Sequence, residues 1–325
     1  MSAPRVSVLI ASRDGERYLE ASLASLAAQT LPDVEIVAVD DGSRDRTAAI
    51  FNRFASAHPR TRVLHTEGVG LAAALRQAAA HAAGECFARQ DDDDLSEPAR
   101  LERQVGFLDA HPGVGVVGTA AQIIDESGAA RGSHPVPEGT AIARTLRRAP
   151  PFVHGSVMMR ASVYRAAGGY RGAFRASQDF DLWLRLPRET GLANLSEPLY
   201  RWRLHPAGLF SRAREQQLRF AALARAFADE RRLTGGGDSI AAFEHAGSFE
   251  RFLETWERGP ELALLLGEVF ARDGRIVEAR RYLARARRSP RTRGGALAWS
   301  LIAGAVAFTP RARRAAGTRG EGAGA

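Results

Sequence analysis

The sequence contains no lysine, since all 45 of its Lys and Arg positions are arginine. This absence excludes the function classes that need a lysine amine: P-loop nucleotide binding, protein kinase catalysis and Schiff-base catalysis. Cysteine is nearly absent too, because Cys86 is the only one. A single cysteine excludes a disulfide within the chain and is typical of a reducing, cytoplasmic compartment. Its surroundings predict a strand in which Cys86 is a small apolar residue.

Long hydrophobic runs are also lacking. The longest apolar stretch, residues 296–308, includes Ser300 and Gly304 and is too short to span a bilayer. Apolar residues make up 45% of the chain and charged residues 25%, which is the composition of a soluble globular protein. The length of 325 residues predicts one large domain with a smaller one, or two domains.

The net charge of +8 is concentrated at the C-terminal end. Residues 285–325 hold nine arginines and one acidic residue, Glu321, whereas residues 1–284 hold 36 charges of each sign. The balanced body gives no indication of nucleic-acid binding. An apolar segment between basic flanks is typical of a helix lying on an anionic membrane, and a last packed helix with an arginine-rich end is the alternative. Residues 285–325 are therefore a candidate for peripheral contact with the inner face of the cell membrane.

Strands and helices alternate over the first 120 residues. The continuous apolar run at residues 6–11 predicts a parallel strand buried on both faces. Further segments in this half are predicted as strands at 35–39, 62–65 and 85–89 and as helices at 16–29, 45–57, 71–83 and 99–110. This order predicts an α/β fold with a doubly wound, Rossmann-like sheet. Beyond residue 212 the pattern is helical, with helices predicted at 215–231, 239–258, 261–272 and 276–288.

Two clusters of carboxylates follow predicted strands, where doubly wound sheets bind their ligands. Asp91–Asp94 could be a solvated acidic turn before a helix. Four carboxylates there would repel one another without a cation, and hard oxygen ligands together with phosphate suit Mg²⁺ or Mn²⁺. The sharper hypothesis is a divalent ion that bridges a diphosphate. Asp40 could cap the next helix or accept a hydrogen bond from a base or ribose. Asp179 lies in the first turn of a predicted helix, and a helix-start carboxylate is the alternative reading there.

Six segments, in order and at similar spacing, resemble the motifs of family 2 glycosyltransferases, which have the GT-A fold. The resemblance covers about residues 5–211. The segments are VSVLIASRD (6–14), VDDGS (39–43), ARQDDDDLS (88–96), HGSVMMR (154–160), GGYR (168–171) and QDFDLWLR (178–185). This resemblance implies an inverting, metal-dependent enzyme that uses Mn²⁺ or Mg²⁺. Such an enzyme transfers a sugar from a nucleoside-diphosphate sugar to a glycan or lipid-linked glycan, in the manner of bacterial enzymes that build surface polysaccharides and glycolipids.

The resemblance also implies roles for single residues. It assigns Asp179 as the general base and Asp93 as the metal ligand. It assigns nucleotide-sugar binding to Ala11, Arg13, Asp40, Asp91 and Asp92. The candidate supporting residues are Asp94, Gln178, His154, Arg185 and His205.

This sequence departs from the family pattern at several of these positions. Asp92 stands where many members have alanine, and its charge is tolerable there if it faces solvent. Gln178 replaces a glutamate, which removes a charge beside Asp179 and should keep the pKa of Asp179 lower. Gly68 stands where the family has an asparagine, which weakens the transfer of donor contacts at that position.

The resemblance gives an expected domain organisation. A GT-A domain is predicted at residues 1–211, with a nucleotide-sugar half at about 1–120 and an acceptor half at about 121–211. A helical appendage is predicted at 212–290. A basic tail follows at 291–325, with a short apolar helix and an end expected to be disordered.

Two other function classes remain as alternatives. A catalytically inactive nucleotide-sugar-binding or scaffold protein would keep the fold and use the helical region for interactions. A sugar nucleotidyltransferase shares the α/β architecture and the carboxylate-held metal, but such enzymes generally need a lysine in a basic glycine-rich loop. The sequence favours the glycosyltransferase because all the expected carboxylates are present.

Overall fold

The computed structural model describes residues 4–206 and 213–306, with side chains up to residue 300. The chain divides into two compact units, Met1–Ala213 and Arg214–Ala325. The first unit contains all the described strands and the second contains helices only, within the ranges described.

The first unit alternates strands and helices, as its sequence predicts. Its strands are β1 (Val6–Ser12), β2 (Val34–Asp40), β3 (Thr61–His65), β4 (Cys86–Gln90), β5 (Leu95–Ser96), β6 (Val114–Ile124), β7 (Ala130–His134), β8 (Met158–Arg160) and β9 (Gly191–Arg203). Its helices are α1 (Leu19–Ala27), α2 (Thr47–Ala57), α3 (Leu71–Ala80), α4 (Arg100–Ala110), α5 (Thr140–Leu146), α6 (Ala161–Ala166) and α7 (Gln178–Trp183), with a 3₁₀ turn at His154–Ser156.

The strands form one mixed sheet in the order β3-β2-β1-β4-β8-β6-β9-β5, with β7 paired to β6. β3, β2, β1 and β4 are parallel, and β8 runs antiparallel to both β4 and β6. β9 is parallel to β6. The C-terminal ends of β1, β2, β4 and β9 therefore meet at one edge of the sheet.

β1 lies in the centre of the sheet, and all seven of its residues are buried. Val8 and Ile10 pack on the face covered by α1, α2 and α4, while Leu9 packs on the face covered by α3. Fully burying a side chain such as Ile10 stabilises the fold by about 1.5–3 kcal/mol. Cys86 is buried in β4.

The second unit consists of α8 (Arg214–Thr234), α9 (Ile240–Ala246), α10 (Phe249–Thr255), α11 (Gly259–Arg272), α12 (Ile276–Ala286) and α13 (Arg293–Val306). Aromatic rings join three of these helices, since Phe252 contacts Phe227, Phe243 and the stacked ring of Trp256. The prediction of one helix over 239–258 is wrong. Gly247 has a φ of +71° and ends α9 there, and Ser248 caps α10 through the N–H of Arg251.

The predicted apolar helix near the C-terminus corresponds to α13. Ala296 is buried, and the guanidinium of Arg272 lies 5.1 Å from the ring centroid of Trp299, so the start of α13 packs within this unit. The rest of the predicted basic tail, 307–325, lies outside the described residues. Among the described helices, none combines the length and hydropathy that crossing a membrane requires.

Candidate active site

The first acidic pair, at the end of β2, divides into two different environments. Oδ1 of Asp41 accepts hydrogen bonds from the N–H of Val69 at 2.7 Å and the hydroxyl of Thr66 at 2.5 Å, and its Oδ2 accepts one from the N–H of Gly70 at 2.8 Å. Asp41 thereby accepts hydrogen bonds from backbone N–H groups just before α3. It does not cap α2, the helix that follows it in sequence. Its role is structural.

Asp40 is buried but more lightly engaged. Its Oδ1 accepts a hydrogen bond of 3.2 Å from the N–H of Ser43, and its Oδ2 lies 3.3 Å from Nδ1 of the half-exposed His65. A carboxylate with weak partners at the ligand-binding edge retains acceptor capacity for a nucleobase or ribose.

The loop after β1 places one side chain against Gly68. Arg13 is exposed, and its Nη1 lies 2.9 Å from the point where a Cβ on Gly68 would stand. Gly68 also has a φ of +81°, and this backbone conformation favours glycine there. Ala11, at the end of β1, is 6% exposed, and its side chain packs in the core.

The second acidic cluster follows β4, and buried polar groups hold its backbone. The N–H of Asp91 donates to the hydroxyl of Tyr200 at 3.1 Å, and the side-chain amide of Gln90 donates to the carbonyls of Asp91 and Asp94. Ser22 donates to the Asp91 carbonyl at 2.9 Å. The turn is therefore fixed by side chains from α1, β4 and β9.

Two of the four carboxylates are engaged within the protein. Asp94 is 2% exposed, and its Oδ1 accepts the N–H of Arg203 at 2.6 Å. Asp92 does not face solvent freely, because its Oδ2 accepts a hydrogen bond from the hydroxyl of Ser12 and lies 2.3 Å from where a Cβ on Gly15 would stand. Burial and the neighbouring Asp93 raise the pKa of Asp92 to about 7.

Asp91 and Asp93 remain the more open carboxylates, with side chains 29% and 28% exposed. Arg89 donates to Asp91 Oδ1 at 2.5 Å, and His205 Nε2 lies 2.9 Å from Asp93 Oδ2, which leaves one oxygen of each for other ligands. Within residues 4–206 and 213–306, no three acidic, histidine or cysteine side chains are grouped to hold a metal by themselves. One or two carboxylates completed by phosphate oxygens is the arrangement that Mg²⁺ or Mn²⁺ commonly takes.

Asp179 is the second residue of α7, after Gln178 and the N-cap Ser177, whose φ is +51°. Burial raises the pKa of Asp179 to about 6, the N–H groups of Phe180 and Asp179 itself oppose that rise, and the charges of Asp91 and Arg89 also act on this carboxyl. Burial therefore outweighs the effect expected from Gln178, which is itself buried. A carboxyl that titrates near pH 6 suits general base catalysis at neutral pH.

Arg185, at the end of the same motif, is engaged in the fold. Its Nε donates to the fully buried Asp181 at 2.9 Å, and its Nη2 donates to the carbonyl of Gly169 at 2.7 Å. It thereby ties α7 to the Gly168–Gly169 turn, where both residues have positive φ. Arg185 supports Asp179 only through the position of α7.

His154 lies in the 3₁₀ turn, and its Nε2 is 2.8 Å from the hydroxyl of Tyr170. Burial and the charge of Arg89 lower the pKa of His154 well below its usual value, so the imidazole is neutral. The structure thus joins three motifs that are separate in sequence: the acidic cluster, the 154–160 segment and the 168–171 segment.

Comparison with known proteins identifies the family. Residues 7–168 match the family model for Glycosyl transferase family 2. The chain is 41% identical over 209 residues to the putative glycosyltransferase EpsE of Bacillus subtilis. The matched region is 62% of this chain and 74% of EpsE. The chain belongs to glycosyltransferase family 2. It is also 30% identical over 204 residues to the O-antigen biosynthesis glycosyltransferase WbnJ of Escherichia coli, covering 62% of this chain and 80% of WbnJ.

Solved structures confirm the GT-A fold of this family 2 glycosyltransferase. S. aureus TarS 1–349 in complex with UDP-GlcNAc aligns with a TM-score of 0.59 and 19% identity, over 91% of this chain and 89% of TarS 1–349. The mannosyltransferase PcManGT of Pyrobaculum calidifontis, in complex with GDP-Man and Mn²⁺, aligns with a TM-score of 0.56 and 21% identity, over 98% and 85% of the two chains.

Several buried residues at the site of this family 2 glycosyltransferase are not predicted from the sequence. Arg100 is fully buried, and its Nη1 donates to the carbonyls of Arg89 and Gly155. Arg203 donates from Nε to the carbonyl of Asp93 at 2.7 Å, and Tyr200 lies beneath Asp91. The one sequence signal for such a residue is an arginine inside a mainly apolar strand, as at Arg89 in β4.

Proposed function

We propose that the protein transfers a sugar from a nucleoside-diphosphate sugar to an acceptor hydroxyl, with inversion at the anomeric carbon and with Mn²⁺ or Mg²⁺ bound. The observation that carries the proposal is the closeness of the Asp179 carboxyl to the acidic cluster that follows β4. The side chains of Asp91 and Asp93, after β4, are partly exposed. The pKa of the Asp179 carboxyl is raised, and the charge of Asp91 is close enough to contribute to that rise.

The nucleotide would bind along the ends of β1 and β2. Asp40 would accept a hydrogen bond from the base, and the exposed guanidinium of Arg13 lies on the same side, against Gly68. The acidic cluster at the end of β4 is next to β1 in the sheet, so the ribose and diphosphate would run from Asp40 towards Asp91 and Asp93.

The carboxylates fit a divalent cation, since Asp91 and Asp93 each keep one oxygen with no hydrogen bond from a described residue, while Asp92 and Asp94 are bound by Ser12 and Arg203. Asp93 would hold the ion, which would neutralise the leaving diphosphate. His205 would orient Asp93 from its other oxygen. The solved complex of PcManGT with GDP-Man and Mn²⁺ contains ligands of the same classes.

Asp179 would remove the proton of the acceptor hydroxyl as its oxygen attacks the anomeric carbon. A carboxyl that is ionised above about pH 6 can accept this proton at neutral pH and is a stronger base than an ordinary aspartate. One displacement, with the base and the leaving diphosphate on opposite faces of the sugar, gives inversion.

The relatives supply the biological setting. WbnJ is named for O-antigen biosynthesis, and AmsE of Erwinia amylovora, 33% identical over 183 residues, for amylovoran biosynthesis. We therefore place this enzyme in the synthesis of a bacterial cell-envelope polysaccharide or glycolipid, with a glycan or lipid-linked glycan as acceptor.

The test is a panel of UDP-, GDP- and dTDP-sugars incubated with the protein and Mn²⁺, with released nucleotide measured by chromatography. Slow release of nucleoside diphosphate from one donor class, lost in EDTA and in Asp93→Asn, supports the proposal. Exchange of label between pyrophosphate and a nucleotide sugar would instead indicate a nucleotidyltransferase. Tight donor binding without any release would indicate the inactive binding protein.

We also propose that the C-terminal unit binds anionic membrane surfaces. On α12 and the segment before α13, five arginines are exposed and have no described acidic partner: Arg280, Arg281, Arg287, Arg288 and Arg291. Each arginine near an anionic surface contributes about 1 kcal/mol. The exposed Leu297 follows them on α13, 41% exposed.

Vesicle binding distinguishes this proposal from the alternative, in which the last helix only packs within the C-terminal unit and binds no membrane. The full chain should co-sediment with phosphatidylglycerol vesicles and not with phosphatidylcholine vesicles. Arg287→Glu with Arg288→Glu should weaken that binding by at least about tenfold. Equal binding by the wild type and the double variant would contradict it.

A further inference from the structure

Arg89 is a charged residue in a place where a central strand normally has an apolar one. It is 3% exposed in β4, between parallel β1 and antiparallel β8. Residues two apart on a strand share a face, so Arg89 shares the face of Phe87, which packs in the core with Tyr164 and Tyr170. The guanidinium therefore lies inside the first unit, beneath the acidic cluster.

Few of its hydrogen-bond donors are satisfied. Nη2 donates to Asp91 Oδ1 at 2.5 Å, whereas Nε and Nη1, which carry three of the five N–H groups of an arginine, have no partner among the described residues. Arg100, another buried arginine of this region, donates instead to the carbonyls of Arg89 and Gly155. A buried cation with unsatisfied donors costs folding free energy.

Its charge acts on groups from several elements around the site. Asp91, Asp92, Tyr170 and Tyr200 all favour the charged form of Arg89. Arg89 in turn disfavours protonation of His154 and of Asp179. This one guanidinium is thus electrostatically linked to the acidic cluster after β4, the 3₁₀ turn and the start of α7.

We propose that Arg89 is a positioning residue of the transferase site, a buried cation that fixes the Asp91 carboxylate and balances the negative charge gathered around it, including that of Asp179. The inference rests on the proposed function, in which Asp179 is the base. The site needs the charge of Arg89 and not its packing. This need accounts for the presence of a buried guanidinium that lowers the stability of the fold.

The groups that face Asp179 define the test. Asp91 and burial disfavour its ionised form, Arg89 and the N–H of Phe180 favour it, and Tyr170 is the other titratable group linked to it. Arg89→Gln removes the charge and keeps one donor for Asp91. Arg89→Lys keeps the charge. Arg100→Gln is the matched control, because it removes a buried guanidinium that binds backbone carbonyls.

The measurement is a ¹³C carboxyl titration of Asp179 in the donor-free and metal-free protein, with the resonance identified by its loss in Asp179→Asn. We expect the midpoint to rise by roughly half a unit or more in Arg89→Gln and to stay at the wild-type value in Arg89→Lys. The turnover number for donor hydrolysis should fall about 10- to 100-fold in Arg89→Gln. Arg100→Gln should lower the melting temperature more than Arg89→Gln does.

An unchanged Asp179 midpoint in folded Arg89→Gln would overturn the proposal, and so would undiminished turnover. If Arg89→Gln does not fold, Arg89→Lys decides, because a raised midpoint in that charged variant contradicts the role given to the charge. Failure of the proposed function would be recognised separately, as a wild type that releases nucleotide from no donor. The titration requires no donor and judges Arg89 by itself.

Discussion

Nε2 of His205 lies 2.9 Å from Oδ2 of Asp93, although the two residues are 112 positions apart. The imidazole also contacts the ring of Tyr18, whose centroid is 5.0 Å away, in an edge-on arrangement. The contact orients the carboxylate that we assign to the metal, and loss of such an outer partner typically weakens metal affinity 10- to 100-fold.

His205→Asn should therefore raise the Mn²⁺ concentration needed for half-maximal donor hydrolysis by about 10- to 100-fold. A Mn²⁺ titration of activity measures this directly. His81→Gln, at the exposed position directly after α3, is the control and should leave the titration unchanged. Equal Mn²⁺ requirements in the wild type and His205→Asn would contradict the role of His205.

Asp179 and Asp181 are two residues apart on α7 and should respond differently to the same substitution. Asp181 is fully buried and bound by Arg185, so Asp181→Asn breaks a buried ion pair and should cost about 3–5 kcal/mol. Asp179→Asn removes a carboxyl that burial disfavours, so its stability should be equal to or above that of the wild type. Denaturant unfolding of both variants measures this difference in stability. Equal losses of unfolding free energy in the two variants would contradict the prediction.

Asp40 and Asp41 form a second matched pair. Asp41→Ala removes three hydrogen bonds before α3 and should lower stability by about 2–4 kcal/mol. Asp40→Ala should change stability less and should weaken nucleoside-diphosphate binding by at least about tenfold. Calorimetric titration with UDP and GDP, next to unfolding curves, tests the division. Unchanged nucleotide affinity in Asp40→Ala would show that this carboxylate does not bind the donor.

Stability should fall as the pH rises from about 4 to 7 in the metal-free protein. The pKa of Asp179 is raised to about 6 and that of Asp92 to about 7, so these two carboxyls bind more protons in the folded protein than in the unfolded chain in this window, and they outnumber the opposing contribution of His154, whose pKa is lowered. Unfolding free energy therefore decreases with pH there. Asp92→Asn should remove about 1–2 kcal/mol of the decrease, after allowance for solvent screening. Parallel pH profiles for the wild type and Asp92→Asn in EDTA would contradict this.

The fold of the first unit could be predicted because its signals are local. The apolar run of β1 predicts a buried parallel strand, and Asp40 and Asp91 follow their strands directly, which places both at the ligand-binding edge. Patterns of this kind need no knowledge of distant residues. The α/β fold and the helical C-terminal region were accordingly predicted, except that Gly247 divides one expected helix into two.

The supporting residues could not be predicted, because their partners are remote in sequence. Tyr200 contacts Asp91 across 109 positions and Arg100 contacts Gly155 across 55. Nothing near either residue distinguishes it from an ordinary tyrosine or a helix-surface arginine.

The most direct test of the account is nucleoside-diphosphate release by the wild type and by Asp179→Asn, with Mn²⁺ and saturating amounts of the preferred donor. The account predicts that Asp179→Asn binds the donor with unchanged affinity and turns it over about 10²- to 10⁴-fold more slowly, because only the proton acceptor is lost. Near-normal turnover by Asp179→Asn, with the donor bound, would contradict the assignment of the base and the single-displacement mechanism that depends on it.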